Sequence, residues 1–265
     1  MRFLNIASGS SGNATYIGTE DTHILIDAGI SRKRINEGLA KADVTLNDLT
    51  AILITHEHID HISCLGVLER TRPVPIYATR GTIEGILSCP MLGDYPKDLF
   101  VEIHPDVPFT VGDVSLQAFS ISHDAADPVC YRFESGGRKG AIVTDLGMYD
   151  SDLADRLLGL DLLMMEANHD KRMLEVGPYP YPLKRRIMGE RGHLSNEDAG
   201  GFLSRVLHDK MNQILLGHLS RENNTRELAL LSVMTEIDGA DVPYRGNDFP
   251  IITARHDQST EVFEV

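Results

Sequence analysis

The chain has 265 residues, enough for one large domain or two small ones, and its 42% apolar and 24% charged composition excludes a disordered or fibrous protein. A net charge of −14 argues against a broad basic face that coats nucleic acid nonspecifically, but it leaves open a nucleic-acid substrate held at one cationic site. No apolar stretch approaches the roughly 18 residues of a membrane span. The start Met1-Arg2-Phe3-Leu4-Asn5 lacks a secretory apolar region, and Cys64, Cys89 and Cys130 are too scattered for a disulfide framework, so a reducing cytoplasm is the expected compartment.

Residues 2–7 and 14–18 read as short strands joined by Ser8-Gly9-Ser10-Ser11-Gly12-Asn13. That loop is equally suited to a plain hairpin connection and to presenting N–H groups to a phosphate. Ile24-Leu25-Ile26 is a buried strand ending in Asp27, which serves either as a turn residue or as a helper of a metal site. Ser31 caps a helix predicted to run to about Ala42; its Arg32, Lys33 and Arg34 read as a solvated face. The β-branched run Ala51-Ile52-Leu53-Ile54 predicts another buried strand, and behind Thr55 it delivers His56-Glu57-His58-Ile59-Asp60-His61 before a helix over 62–70.

Three imidazoles and a carboxylate within six positions beside a core are costly to desolvate unless something pairs them. His56 and His58 point the same way on an extended chain, while Asp60 and His61 turn into the helix. The stretch alone offers four N/O donors, about what one ion needs, and its geometry suggests two ions side by side.

Downstream, a strand at 75–78 and a helix at 79–87 are followed by strands at 99–103 and 111–122, with Val111-Gly112-Asp113-Val114 making the turn between two apolar stretches and the second stretch leading to His123. Strands at 129–134 and 140–144 follow, and the second delivers Asp145. Asp161 to Glu166 is an apolar strand leading to Asn168, His169 and Asp170. A loop with Pro178, Pro180 and Pro182 precedes Lys184-Arg185-Arg186 and then Gly192-His193-Leu194-Ser195. Ser195 with Asp198 is a capping-box-like start for a helix over 196–208. The strand 213–217 delivers His218, a helix is predicted over 222–236, and two short strands close the chain. No linker, low-complexity tract or charge block divides it, so a single domain over 1–265 is expected.

The order Asp27, His56-x-His58-x-Asp60-His61, His123, Asp145, His218 resembles the five motifs of the metallo-β-lactamase superfamily of binuclear metallohydrolases, across essentially the whole chain. That resemblance implies an α/β fold, the αββα four-layer sandwich with two mixed sheets and helices on the outer faces. The segments 8–13, 166–170, 192–196 and 218–224 are similar to the YycJ/WalJ branch, which is related to the RNase Z and PhnP-type phosphodiesterases. The implied activity is phosphodiester hydrolysis, with DNA exonuclease action from the 5′ end. The implied cofactors are two divalent ions, zinc, manganese or iron. His56, His58 and His123 would hold one, and Asp60, His61 and His218 the other, with Asp145 bridging and Asp27 hydrogen-bonding the ligands. Two such ions, about 3.5–4 Å apart, would activate a shared water.

In the same resemblance Asp60, Asp145 and His193 carry the catalytic roles, His193 as a phosphate contact or as general acid, set against a surface histidine near a helix cap. Ser220, Arg221, Ser10 and Ser11 are candidate phosphate contacts, and Glu166 and His169 support the site. The expected partner is nucleic acid, DNA before RNA, with no membrane and with a monomer or a homodimer both open. The absence of a long inserted clamp argues against processive binding of long duplexes. Hydrolysis of a small phosphodiester or other small molecule is one alternative, and a non-catalytic, metal-stabilised regulatory protein is another. His23, His104, His208 and His256 occupy no motif position, and Cys64 reads as core.

Overall fold

The computed structural model describes residues 1–265. Fourteen strands form two mixed sheets of seven strands each. In chain order they are β1 (Arg2–Ala7), β2 (Ala14–Gly18), β3 (His23–Ile26), β4 (Ala51–Leu53), β5 (Ile76–Ala78), β6 (Phe100–Glu102), β7 (Phe109–Val111), β8 (Val114–Ser120), β9 (Val129–Ser135), β10 (Arg138–Val143), β11 (Leu162–Glu166), β12 (Gln213–Gly217), β13 (Ile251–Thr253) and β14 (Phe263–Glu264). The helices are α1 (Arg32–Leu39), α2 (Ile59–Ile62), α3 (Leu65–Thr71), α4 (Arg80–Leu87), α5 (Ser151–Arg156), α6 (Lys171–Val176), α7 (Tyr181–Ile187), α8 (Asn196–Val206) and α9 (Arg226–Gly239). The chain divides into two units: residues 1–120, 125–138 and 255–265 in the first, and 121–124 and 139–254 in the second.

In the first unit the order β14-β1-β2-β3-β4-β5-β6 begins antiparallel and becomes parallel from β3 onward. A helical connection follows each of β3, β4 and β5, as parallel strands require. The apolar runs of β3 and β4 are buried throughout, the pattern of strands covered on both faces. Strands β7, β8 and β9 of the other sheet also belong here and pair antiparallel, β8 with each of its neighbours. Tyr131 of β9 is fully buried, and its hydroxyl donates to the Ile54 carbonyl at 2.8 Å, which fixes the chain just before the histidine run. In the second unit β10, β11, β12 and β13 pair in parallel, with helices between successive strands.

Four expectations from sequence are revised. The helix expected over 62–70 begins earlier, as α2 on the His58 N-cap, and is interrupted before α3. Ala28, far upstream in sequence, causes the interruption: the Cys64 N–H donates to the Ala28 carbonyl and the Ala28 N–H donates to the His61 carbonyl. Phe109–Val111 is a strand of its own, β7, while the expected turn at 111–114 leads into β8 through Gly112, whose φ of 56° suits a residue without a Cβ. Residues 222–225 lie outside α9 because Thr225 caps it, accepting from the Leu228 N–H, while Asn223 and Asn224 are buried. The proline-rich loop contains α7, which Pro180 caps and Pro182 enters in its first turn, where a missing N–H costs nothing.

Glu69 of α3 is fully buried; the Val74 N–H donates to one carboxyl oxygen, and the other has no hydrogen-bond partner. Burial pushes its pKa up to about 7. Between its ordinary value near 4.5 and about 7 the folded chain therefore holds a proton that the unfolded chain has released, and stability falls as pH rises through that window. Glu69→Gln should raise stability at pH 8, by an amount on the order of 2–3 kcal/mol, and give no gain at pH 4. Urea unfolding at the two pH values measures it.

Candidate metal and phosphate site

Each unit gathers part of the expected set at the C-terminal ends of parallel strands, where open α/β sheets place their binding crevices. In the first unit, Asp27 follows β3 and the run from His56 to His61 follows β4. His56 and His61 are fully buried, with ring centroids 4.1 Å apart, and the His56 and His58 rings lie edge to face at 4.6 Å. Asp27 is the organiser. Its carboxylate accepts from the Thr55 N–H at 2.9 Å and from the Thr55 hydroxyl, and it meets His61 Nδ1 at 2.8 Å.

A carboxylate can only accept there, so Nδ1 carries the proton and Nε2 keeps the lone pair. In this structure the Asn13 amide donates to that Nε2 at 2.9 Å, so a cation taking the lone pair displaces it. Asn13 also ties the 8–13 loop to the run: its backbone N–H donates to the Asp60 carbonyl, and its side chain accepts from the Gly9 N–H. Ser10 and Ser11 are exposed at the tip of this loop. A Cβ at Gly29 would collide with the Asp60 carbonyl, which explains the glycine two residues beyond Asp27. Glu57, the one acidic residue of the run outside the expected ligands, accepts from the Ala126 N–H at 2.8 Å.

In the second unit His123, Asp145, Glu166, His193 and His218 come together. Asp145 Oδ1 lies 3.5 Å from His218 Nδ1 and 3.9 Å from both His123 Nε2 and His193 Nδ1. One ligand-type atom each from Asp145, Glu166, His193 and His218 falls within a 4.8 Å cluster. Glu166 is the better support than ligand. Its Oε1 accepts from His218 Nδ1 at 2.7 Å and from His193 Nδ1 at 2.8 Å, and its Oε2 accepts from the Leu146 N–H at 2.8 Å. Burial alone would raise this carboxyl, but the two imidazoles beside it overcome burial and hold it well below the usual range. Burial pulls His193 down, and the Glu166 charge and hydrogen bond outweigh it, leaving His193 raised.

His123 completes the pattern, with Nδ1 on the Gly192 carbonyl at 3.2 Å. Its segment is fastened by the same loop: Ser122 donates to the Glu190 carbonyl, Arg191 donates to the His123 carbonyl, and Arg186 pairs with Asp124. His218 is held through its backbone as well, because Asn168 Nδ2 donates to its carbonyl at 2.9 Å. Ser220 follows, its N–H on the Asn168 carbonyl, and Arg221 is exposed beside it. Asp27, Asp145 and His218 all have positive φ, of 60°, 60° and 53°. Non-glycine residues rarely adopt that region, and when they do they cluster at functional sites.

The donor set fits divalent cations: buried imidazoles with Nδ1 committed to oxygen acceptors, together with carboxylates. Sequence reasoning assigned Glu166 only general support and missed the Gly192 carbonyl. The available signals were a carboxylate closing an apolar strand and a glycine preceding His193. Among the remaining histidines, His23 meets the Tyr16 hydroxyl and His208 meets the Leu160 carbonyl. Cys64 is buried, and burial raises its thiol pKa.

The model of the Beta-lactamase superfamily domain matches residues 22–214. An exodeoxyribonuclease YycJ of Bacillus anthracis is 41% identical over 88% of each chain. An exodeoxyribonuclease WalJ of Streptococcus pneumoniae is 38% identical over all of this chain and 98% of its own. Among solved structures, the metallo-β-lactamase fold protein YhfI of Bacillus subtilis superposes with a TM-score of 0.72 at 17% identity, over 98% of both chains, and so shares the fold.

Glu166→Gln removes the charge that fixes two imidazoles. Metal affinity should drop about 10- to 100-fold, read by chelator competition against the wild type. Unchanged affinity would mean that the Nδ1 contacts do not organise the site.

Proposed function

The chain belongs to the β-lactamase superfamily and is a metal-dependent hydrolase of the metallo-β-lactamase fold; from that premise we propose that it is a binuclear exodeoxyribonuclease acting from the 5′ end. The observation that carries this reading is the similarity to two exodeoxyribonucleases over 88% and 100% of this chain, joined to a buried donor set in which His61, His123 and His218 are held through Nδ1. We assign residues 1–265 to one functional domain, in which His56, His58 and His123 would hold one ion and Asp60, His61 and His218 the other. Asp145 would lend its carboxylate to both. When bound, the ions supply an activated water and offset charge on the phosphate oxygens.

The chain's own residues do the rest. Asp27 and Glu166 keep the ligand imidazoles in the tautomer that leaves Nε2 available. His193, gripped by Glu166 through Nδ1, is left to meet the scissile phosphate with Nε2, either as a hydrogen-bond donor or as the acid that protonates the leaving 3′ or 5′ oxygen. Its raised pKa favours the protonated form that both roles need. Ser220 and Arg221 lie just beyond His218, and Ser10 and Ser11 on the loop fastened to Asp60; these are the assigned phosphate contacts. No helix is long and apolar enough to cross a membrane. The three free cysteines accord with the reducing cytoplasm in which we place the protein.

Asp145→Ala should abolish hydrolysis and reduce bound metal, measured as turnover and metal content of the same preparation. His193→Ala should retain its metal and lose about 10²- to 10⁴-fold in turnover; collapse of its metal content would make His193 a ligand instead. Metal-loaded protein incubated with end-labelled DNA and RNA, single- and double-stranded, should shorten DNA from the 5′ end. Hydrolysis confined to a generic bis-aryl phosphodiester would retire the nuclease assignment.

A further inference from the structure

We infer that the cavity beside His193 is a nucleobase site, which receives the base of the nucleotide whose phosphate lies at His193 and stacks it on Tyr181. The cavity, of about 410 Å³, is lined by His169, Lys171, Tyr181, Lys184, Met188 and His193, together with Gly147, Glu175 and Asp198. That volume falls within the roughly 300–1,000 Å³ of small-molecule sites.

Its apolar wall comes from α7 and the residue just beyond it. α7 buries none of its residues, so Tyr181 is 70% exposed and Met188, just beyond the helix, 50% exposed. An exposed tyrosine and a thioether on one cavity wall suit a flat aromatic guest. Every base has such a face, so this site tolerates any sequence, as an exonuclease requires.

The polar wall is fixed. Lys184 Nζ donates to the Glu175 carbonyl at 2.8 Å, and Lys171 Nζ pairs with Asp198 at 3.1 Å. His169, 2% exposed, lines the same wall, and its Nδ1 is buried without a hydrogen-bond partner. In a chain of net charge −14, Lys171, Arg172, Lys184, Arg185 and Arg186 concentrate positive charge on α6 and α7. A polyanion is drawn to such a patch despite the overall sign. The cavity's aromatic wall, its cations and its opening onto His193 therefore match a deoxynucleoside monophosphate, base inward and phosphate at the imidazole.

Placing that phosphate at His193 rests on the nuclease reading, so the test separates the two. Calorimetric titration of metal-loaded protein with thymidine 5′-monophosphate and with 2-deoxyribose 5-phosphate isolates the base. Wild type should bind the nucleotide on the order of tenfold more tightly than the sugar phosphate. Tyr181→Ala should erase that preference and Tyr181→Phe should keep it; circular dichroism confirms that both remain folded. Equal binding of the two ligands by wild type, or a preference surviving in Tyr181→Ala, overturns the base site. Cleavage of end-labelled DNA is scored separately. A base preference without any DNA cleavage would leave the pocket standing and remove the nuclease assignment.

Discussion

The proposed site depends on burying an acceptor against one ring nitrogen of four of its imidazoles. A histidine can ligate through either ring nitrogen, and only a fixed partner on one of them decides which. Asp27 does this for His61, Glu166 for His218 and His193, and the Gly192 carbonyl for His123. The same partners carry the expense of burying carboxylates. Asp27 is satisfied by Thr55 and His61, and Glu166 by two imidazoles and the Leu146 N–H. The strand ends supply the remaining precision: Asp27, Asp145 and His218 turn through the left-handed region as the chain leaves β3, β10 and β12. Such positions persist where surrounding bonds over-determine them, as the Asn168 bond to the His218 carbonyl does.

What the sequence made legible follows from what is local. The runs Ile24-Leu25-Ile26, Ala51-Ile52-Leu53 and Leu162-Leu163-Met164-Met165 announce buried parallel strands, because such strands are apolar on both faces. Their polar terminators were legible for the same reason. The Ser195 cap of α8 was legible because its partner, Asp198, is three residues away. The unread features are set by residues distant in sequence. The break between α2 and α3 is imposed by Ala28, over thirty positions upstream. The late start of α9 follows from buried amides: Asn224 donates to the Ala167 and Asn168 carbonyls and exchanges bonds with Asn196. The dual grip of Glu166 on His193 and His218 joins three segments whose proximity no local pattern encodes.

The charge distribution shows how an acidic chain can address a polyanion. Sequence alone places Lys184-Arg185-Arg186 as a basic segment after a proline-rich loop and does not show that the two form one helix. As α7, the segment has no fully buried residue, and its Lys184 lines the cavity with Tyr181, Met188 and His193. Arg186 and Arg191 also brace the His123 segment, through Asp124 and the His123 carbonyl. One stretch thus supports a proposed ligand on one side and faces the proposed substrate on the other. The 8–13 loop has an analogous position in the first unit, held to Asp60 and His61 by Asn13 while its serines stay exposed.

Anomalous diffraction from crystals grown with manganese or zinc tests the central claim most directly. The account predicts two ion peaks, one on His56, His58 and His123, the other on Asp60, His61 and His218, with Asp145 between them. It also predicts that His61, His123 and His218 ligate through Nε2 while their Nδ1 atoms remain on Asp27, the Gly192 carbonyl and Glu166. A single peak, or ligation through Nδ1 with those acceptors turned away, would contradict it.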